Sequence, residues 1–312
     1  MDAQERLRPM SAVPGYAELP AGSWLEVAGV RTWHTTGGGG TPVVFVYGGS
    51  FGTAGSASGA YAWAPAFHGL AAGHRVIAYD KPGQGFSGKP PTPAGYTMGA
   101  VVDHLIAFLE ALGLGPVHLV GHSRGGFAAT RATLLRPDLV TSLTIVNSGT
   151  LSPGVGTNEV VLGAPPMAPS RQSVRWVYEH YMHDPAVVGD LFVEQAWSVV
   201  RSASYQEALA EVRAGDLMAE LFLPRLAEDK LETLTWLAQG RLQRPTQVVW
   251  GRDDRTALLS RGLALFGELA RWERRTTLSV VDKCGHFPFR EHPGWFVDVV
   301  GSFLEEVDAH VM

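Results

Sequence analysis

Apolar residues along this chain fall into short, nearly continuous runs separated by longer stretches of helical period. That alternation predicts an α/β fold, a mostly parallel sheet flanked by helices. Near the start, Trp24–Val27 and Val30–Thr35 alternate apolar and polar positions across Ala28-Gly29, the pattern of a β-hairpin, and Gly37–Gly40 reads as a turn. Three apolar runs follow at Pro42–Tyr47, Arg75–Tyr79 and Val117–Val120, continuous enough for strands buried on both faces. Further strands are predicted at Leu143–Val146, Gln247–Trp250 and Thr277–Val281. Between the early strands lie helices over about Tyr61–Ala72 and Met98–Leu112, the second placing Val101, Leu105, Phe108, Leu109 and Leu112 on one face. An amphipathic helix over Trp295–Val307 ends the pattern.

Strand patterning vanishes between Ser148 and about Arg244, where helical periodicity carries Trp176, Tyr178, Tyr181, Phe192, Trp197, Met218, Leu221 and Trp236. This divides the chain into a tail over 1–20, a core domain formed by 21–148 and 245–312, and a helical cap inserted over 149–244. Ligands of open α/β sheets bind outside the C-terminal ends of the strands, so the cap is expected to roof the site. Most of its aromatic residues are expected to form the cap's own core.

Candidate chemistry begins where the Val117–Val120 run meets Gly121-His122-Ser123-Arg124-Gly125, ahead of a stretch rich in Ala and Thr. A serine held on a sharp strand-to-helix turn keeps its hydroxyl exposed, and small neighbours allow the turn to close. The same five residues also fit a glycine-rich helix start capped by Ser123, so the pentapeptide is weak by itself. Partners further along the chain strengthen it. A serine needs a base at neutral pH, and the base needs an orienting carboxylate. The Gln247–Trp250 strand runs into Gly251-Arg252-Asp253-Asp254, and the Thr277–Val281 strand into Asp282-Lys283-Cys284-Gly285-His286, so a carboxylate and an imidazole fall on the same rim as Ser123.

Of eleven histidines only His286 has this placement. His122 is expected to point beneath the turn, because side chains alternate along a strand. His292, before Pro293, reads as a helix start; His180 and His183 with Asp184 lack a third ligand, so no metal is expected. Spacing alone leaves Asp253 and Asp254 equally eligible as the acid.

An oxyanion hole needs backbone N–H groups free of side-chain obstruction. Gly48-Gly49-Ser50-Phe51-Gly52 follows the Pro42–Tyr47 strand, and the expected donors are the N–H groups of Gly49 and Arg124. Ser50, Phe51, Trp197 and Phe287 are expected to line the substrate pocket. Asp80, ahead of Gly83-Gln84-Gly85, is expected to fix backbone N–H groups in a rim loop.

Composition narrows the function classes. A formal charge of −5 over 312 residues gives no basic footprint for nucleic acid, and no apolar stretch reaches the ~18 residues of a membrane span. The N-terminus carries charges of both signs without an apolar segment, so no secretion signal is read there. A single cysteine, Cys284, excludes an internal disulfide and fits a reducing cytoplasm. The expected partner is a small-molecule substrate, with a homodimer compatible with the sequence. Gly121–Gly126 lacks the glycine spacing and lysine of nucleotide loops, and no cofactor is expected.

The Gly48-Gly49 loop, Asp80 to Gly85, Gly121-His122-Ser123-Arg124-Gly125-Gly126, Trp250-Gly251-Arg252-Asp253-Asp254 and Cys284-Gly285-His286 together resemble the α/β-hydrolase superfamily, over roughly Trp24 to Leu304. The resemblance implies Asp254, third after Gly251, as the acid. Within the superfamily, the last two motifs and the Trp176–Trp197 segment look most like meta-cleavage-product hydrolases, which cut a C–C bond in vinylogous 1,5-diketones. Three departures stand out. That family usually has Asn where this chain has His122 and Trp where it has Phe287, and its lid arginine aligns with Ala196. Loss of that arginine implies a preference for neutral substrates, unless the Arg124 side chain supplies a cation. Epoxide hydrolases and haloacetate dehalogenases look similar at the turn but carry Asp in the Ser123 slot.

The expected function is a serine hydrolase that cleaves a small, largely apolar ester, lactone or diketone-type compound through an acyl-enzyme on Ser123. Meta-cleavage dienoates are the alternative substrate. Cofactor-free dioxygenases and hormone receptors that share the fold are the alternatives of another class.

Overall fold

The computed structural model describes residues 14–49, 51, 57–154, 160, 163–165 and 167–311. Eight strands form one sheet in the order β1-β2-β4-β3-β5-β6-β7-β8. β1 (Ser23–Val27) and β2 (Val30–Gly37) pair antiparallel in the expected hairpin, turning through Ala28 and Gly29 at φ 48° and 77°. Both residues need positive φ, which explains the glycine in a tight two-residue turn. β2 pairs antiparallel with β4 (Arg75–Tyr79), and β3 (Pro42–Val46), β5 (Val117–His122), β6 (Val140–Val146), β7 (Thr246–Gly251) and β8 (Thr276–Val281) continue in parallel. The central strands β3 and β5 are buried along nearly their full length, as their unbroken apolar sequences require.

The helices of the first half are α1 (Ala64–Leu70), α2 (Met98–Leu112) and α3 (Arg124–Leu135). Thr97 caps α2 by accepting from Ala100 N at 3.1 Å, and Gly113 ends it at φ 61°. The expected helix over Tyr61–Ala72 is α1 preceded by a tighter turn at Ala60–Trp63. Pro65 makes the break natural, since it has no N–H to donate but fits the first turn of a helix. α8 (Leu259–Ala270), α9 (Pro288–Glu291) and α10 (Pro293–Val311) belong to the second half.

Among the described residues between β6 and β7 lie the helices α4 (Arg171–Tyr181), α5 (Asp190–Val200), α6 (Ala203–Ala214) and α7 (Leu223–Ala238), the last continuing from a wider turn at Met218–Phe222. α4 and α5 share an apolar cluster with the 60–63 segment, where Phe192 packs on Tyr61 and Tyr178. α7 lies instead against the core, where Arg131 of α3 donates to Thr233 Oγ1 at 2.8 Å and its guanidinium stands over Trp236. Two apolar clusters fill the two faces of the sheet. Tyr16 and Leu19, within the segment expected to be a tail, are buried in the first of them. Residues 1–13 and Ser50 lie outside the described residues. Among the described residues, no helix is long and apolar enough to cross a membrane.

Candidate active site

The parallel strands bring their C-terminal ends to one edge, and Ser123, Asp254 and His286 follow β5, β7 and β8 there. β5 ends at His122, and Ser123 follows at φ 53°, ψ −125°, before α3 begins. A non-glycine residue in that region stores strain of about 1–3 kcal/mol, which the surroundings must hold in place. Ser123 N donates to Val146 O at 2.8 Å, Gly126 N donates back to Ser123 O at 2.9 Å, and Ser148 Oγ donates to the same carbonyl at 2.6 Å. The close approach demands glycine around the turn: a Cβ at Gly125 would stand 2.2 Å from Val46 O, and one at Gly48 would stand 2.7 Å from Ser123 Cβ. The Gly48-Gly49 loop therefore packs directly against the serine.

His286 sits after β8 and is buried. Its Nδ1 donates to Asp254 Oδ2 at 2.6 Å, and Thr256 Oγ1 lies 3.0 Å from the same nitrogen. Asp254 is fully enclosed, and its two oxygens accept from Asn147 Nδ2 at 2.6 Å, Thr256 N and Oγ1 at 2.8 Å each, and Ala257 N at 2.9 Å. Burial works to raise its pKa, but His286 and these donors outweigh it, and the carboxyl sits below the ordinary carboxylate range. Asp253 points away to the surface, where its carboxylate is 3.6 Å from His183 Nδ1. Asn147 itself adopts φ 45° and accepts from Gly251 N at 3.2 Å, so one side chain ties β6, β7 and Asp254 together.

His122 does lie beneath the turn. Its Nε2 donates to His286 O at 2.8 Å, and its ring centroid is 4.6 Å from that of His286. Burial first, and then the neighbouring imidazole, hold it well below the usual histidine range, so it is neutral with the proton on Nε2. Around His286 stand the rings of His122, Tyr181 and Phe287. Phe287 is buried there and also meets Tyr178 and Phe289.

Gly49 adopts φ 82°, and a Cβ there would stand 2.3 Å from Ser58 Oγ. Phe51 anchors the far end of this loop, edge-on to Tyr96 at 5.0 Å and to Phe222 at 6.0 Å. Arg124 is half-buried, with its guanidinium 5.1 Å from the Phe222 ring centroid. Trp197 is half-buried on α5 with Arg201 over its ring, and Ala196 beside it is fully enclosed. Asp80 accepts from Ala60 N at 2.7 Å, Phe86 N at 2.8 Å and Tyr16 Oη at 2.7 Å, which is the loop-fixing arrangement expected of it. His180 donates within its own helix to Trp176 O, and His292 bonds Lys283 O while its own carbonyl accepts from Phe296 N as α10 begins. Among the described residues, no group of three or more His, Cys, Asp or Glu side chains is placed to hold a metal.

Four residues of this neighbourhood escape the sequence reading. Asn147 and Thr256 hold Asp254; both are ordinary polar residues near strand ends and carry no distinguishing spacing. Glu291 accepts from Gly285 N, Phe287 N and His183 N, so it holds the His286 loop and the end of α4 at once. Lys81 is fully buried, donating through Nζ to Gly48 O at 2.9 Å and lying 4.4 Å from the Tyr47 ring centroid. An exposed rim lysine is the usual expectation, and the glycine-rich sequence around it gives no contrary signal.

This sheet order, with a strained serine, an enclosed histidine–aspartate pair and an inserted helical segment, defines a class of enzyme. Residues 41–173 match the family described as alpha/beta hydrolase fold. The chain belongs to the α/β-hydrolase family, and it is a hydrolase. It is similar to the 2-hydroxymuconate semialdehyde hydrolase of Pseudomonas sp. (strain CF600), 30% identical over 292 residues that span 92% of this chain and 95% of that one. It is also 30% identical to a 2-hydroxy-6-oxononadienedioate/2-hydroxy-6-oxononatrienedioate hydrolase of Dechloromonas aromatica (strain RCB), over 80% of this chain and 84% of that one. Among solved structures, the meta-cleavage product hydrolase of Pseudomonas fluorescens IP01 complexed with acetates aligns at a TM-score of 0.74. It is 25% identical, and the alignment spans 93% of this chain and 98% of that one.

Proposed function

We propose that this protein is a serine hydrolase that cleaves the C–C bond of a small vinylogous diketone of the meta-cleavage type, through an acyl-enzyme on Ser123. The observation that carries the reading is the hydrogen-bonded His286–Asp254 pair at the strand ends beside a serine held at positive φ. The relatives' names, which describe hydrolases of 2-hydroxymuconate semialdehyde and of 2-hydroxy-6-oxo dioic acids, support the substrate class.

In this scheme His286 or a bound water first moves the enol proton onto the substrate carbon chain, converting the dienol to a ketone. His286 then takes the Ser123 hydroxyl proton as Oγ attacks the carbonyl carbon. Asp254 holds the imidazolium, and the N–H groups of Gly49 and Arg124 receive the developing oxyanion. Collapse breaks the C–C bond, the electron pair leaves as a conjugated enolate and is protonated, and water then hydrolyses the acyl-enzyme with His286 as base. The same machinery cleaves a simple ester, whose alkoxide is the leaving group. Trp197 and Phe287 stay proposed pocket residues, with Phe287 favoured by its contact with His286.

A serine-directed phosphonate should label Ser123 stoichiometrically, and Ser123→Ala should lower turnover of both a dienol diketone and 4-nitrophenyl butyrate by several orders of magnitude. Full activity in that variant overturns the reading. Oxygen consumption during product formation favours a dioxygenase instead.

A further inference from the structure

The position that resembles a lid arginine is Ala196, which is fully enclosed on α5 among apolar side chains and offers nothing to an anion. Positive charge lies instead next to the nucleophile in the chain. Arg124 directly follows Ser123, and its half-buried guanidinium leans on the Phe222 ring rather than on a carboxylate. Among the described residues, no acidic side chain forms an ion pair with it. Behind the Gly48-Gly49 loop lies a second cation, Lys81, held by the loop carbonyls.

Burial, and then the charge of Arg124, push the Lys81 ammonium down to about 7, with Asp80 as the opposing influence. The Asp80 carboxylate is itself occupied by Tyr16, Ala60 N and Phe86 N. Burial likewise lowers the Arg124 pKa, with Tyr181 as the opposing influence. A half-buried guanidinium without a carboxylate partner is free to meet one with two parallel hydrogen bonds.

We propose that the Arg124 side chain anchors a carboxylate of the substrate, so that this enzyme takes its acid function from the nucleophile turn and not from the cap. The idea rests on Ser123 being the nucleophile, and it reverses the preference for neutral substrates implied by Ala196. Arg124 thus has two separate parts: its backbone N–H faces the oxyanion, and its side chain sets which carbonyl compounds are held beside Ser123. Lys81 does not reach the substrate. It fixes the Gly48-Gly49 carbonyls. The substrate class is a carbonyl compound carrying a carboxylate within one short chain of the attacked carbon.

The test compares glutarate with its neutral isostere glutaramide by calorimetric titration of the intact protein. Wild type should bind the diacid about tenfold or more tightly than the diamide, the scale of a charge-assisted bidentate contact. R124Q should lose most of that advantage, and R124K should keep part of it. In parallel, the ratio of kcat/KM for the 4-nitrophenyl monoester of glutaric acid to that for 4-nitrophenyl pentanoate should fall by about tenfold in R124Q. Equal binding of diacid and diamide by wild type, or an undiminished preference in R124Q, overturns the assignment. If R124Q does not fold, wild type and R124K decide it. Absence of phosphonate labelling at Ser123 would instead remove the nucleophile and leave the titration readable.

Discussion

The backbone N–H of His286 donates to the carbonyl of Tyr181 at 2.9 Å, so the last turn of α4 is hydrogen-bonded to the very residue proposed as the catalytic base. The two segments are close enough that a Cβ at Gly285 would stand 2.5 Å from Tyr181 O. Glu291 completes the junction from below, accepting from Gly285 N at 2.9 Å and from His183 N at 2.7 Å. The inserted helices are therefore fastened to the histidine loop by backbone groups, whatever side chains line the pocket.

Glu291→Ala should loosen that junction. Losing hydrogen bonds to a charged acceptor costs about 1.5–3 kcal/mol each before relaxation, so unfolding in urea should shift clearly to lower concentration. Turnover should fall by about tenfold, because His286 loses its fixed position. Glu291→Gln, which keeps the shape and one acceptor oxygen, should recover part of both. Wild-type activity in Glu291→Ala would show that the loop is held without it.

The neighbouring carboxylates should separate cleanly. Asp254 is enclosed and bonded to His286, whereas Asp253 faces solvent and His183. Asp254→Asn should lower kcat by about 10³–10⁴ with the fold retained, and Asp253→Asn should change it less than about threefold, since an exposed pair contributes little. Steady-state rates on one ester with circular dichroism of both variants decide the ranking. The reverse order would move the acid to Asp253.

Asn147 offers a subtler case. Its amide donates to Asp254 Oδ2 at 2.6 Å, and its backbone has φ 45°, a conformation that asparagine tolerates better than most residues. Asn147→Gly removes the donor without adding backbone strain, so it should lower kcat by about tenfold and stability by about 1–3 kcal/mol. Asn147→Ala should be less stable still, because alanine resists positive φ. Equal stability of the two variants would show that the backbone carries no strain there.

Buried imidazoles should make the fold sensitive to acid. Burial pushes His104 down to about 4, and His34, His118 and His122 are lowered by the same cause. The unfolded chain takes up protons at these groups once pH falls below about 6.5 while the folded protein does not, so stability is full above that pH and is lost as pH falls toward 4. Asp80, raised by burial to about 7, acts with the opposite sign and offsets part of the loss over the same window. His104 alone should account for about 2 kcal/mol by pH 5. Urea unfolding at pH 7.5 and pH 5.0 should therefore show a drop in wild type and a smaller one in His104→Gln. An identical drop in both would remove His104 as a cause.

Period and composition determined much of this protein. Continuous apolar runs mark the inner strands, and β3, β4, β5 and β7 lie within a few residues of where those runs predict them, as does the more exposed edge strand β8. Ser123, the Asp253-Asp254 pair and His286 are legible because each follows such a run, and parallel strands must end on one side. The helix α8 (Leu259–Ala270) is not among the predicted elements, although Gly262, Leu265 and Leu269 share its buried face. What the sequence left open was which side chains meet at that shared rim. Spacing could not choose between Asp253 and Asp254, because adjacent residues share a strand end and differ only in direction. The choice follows from Asn147, Thr256 and Ala257 converging on one of them. Burial of Lys81 behind Gly48, the fastening of Tyr181 to His286, and the placing of Arg124 against Phe222 are likewise tertiary facts. Each depends on which surface meets which once the sheet has twisted and the insertion has folded back, and no local pattern of hydrophobic and polar residues encodes that meeting.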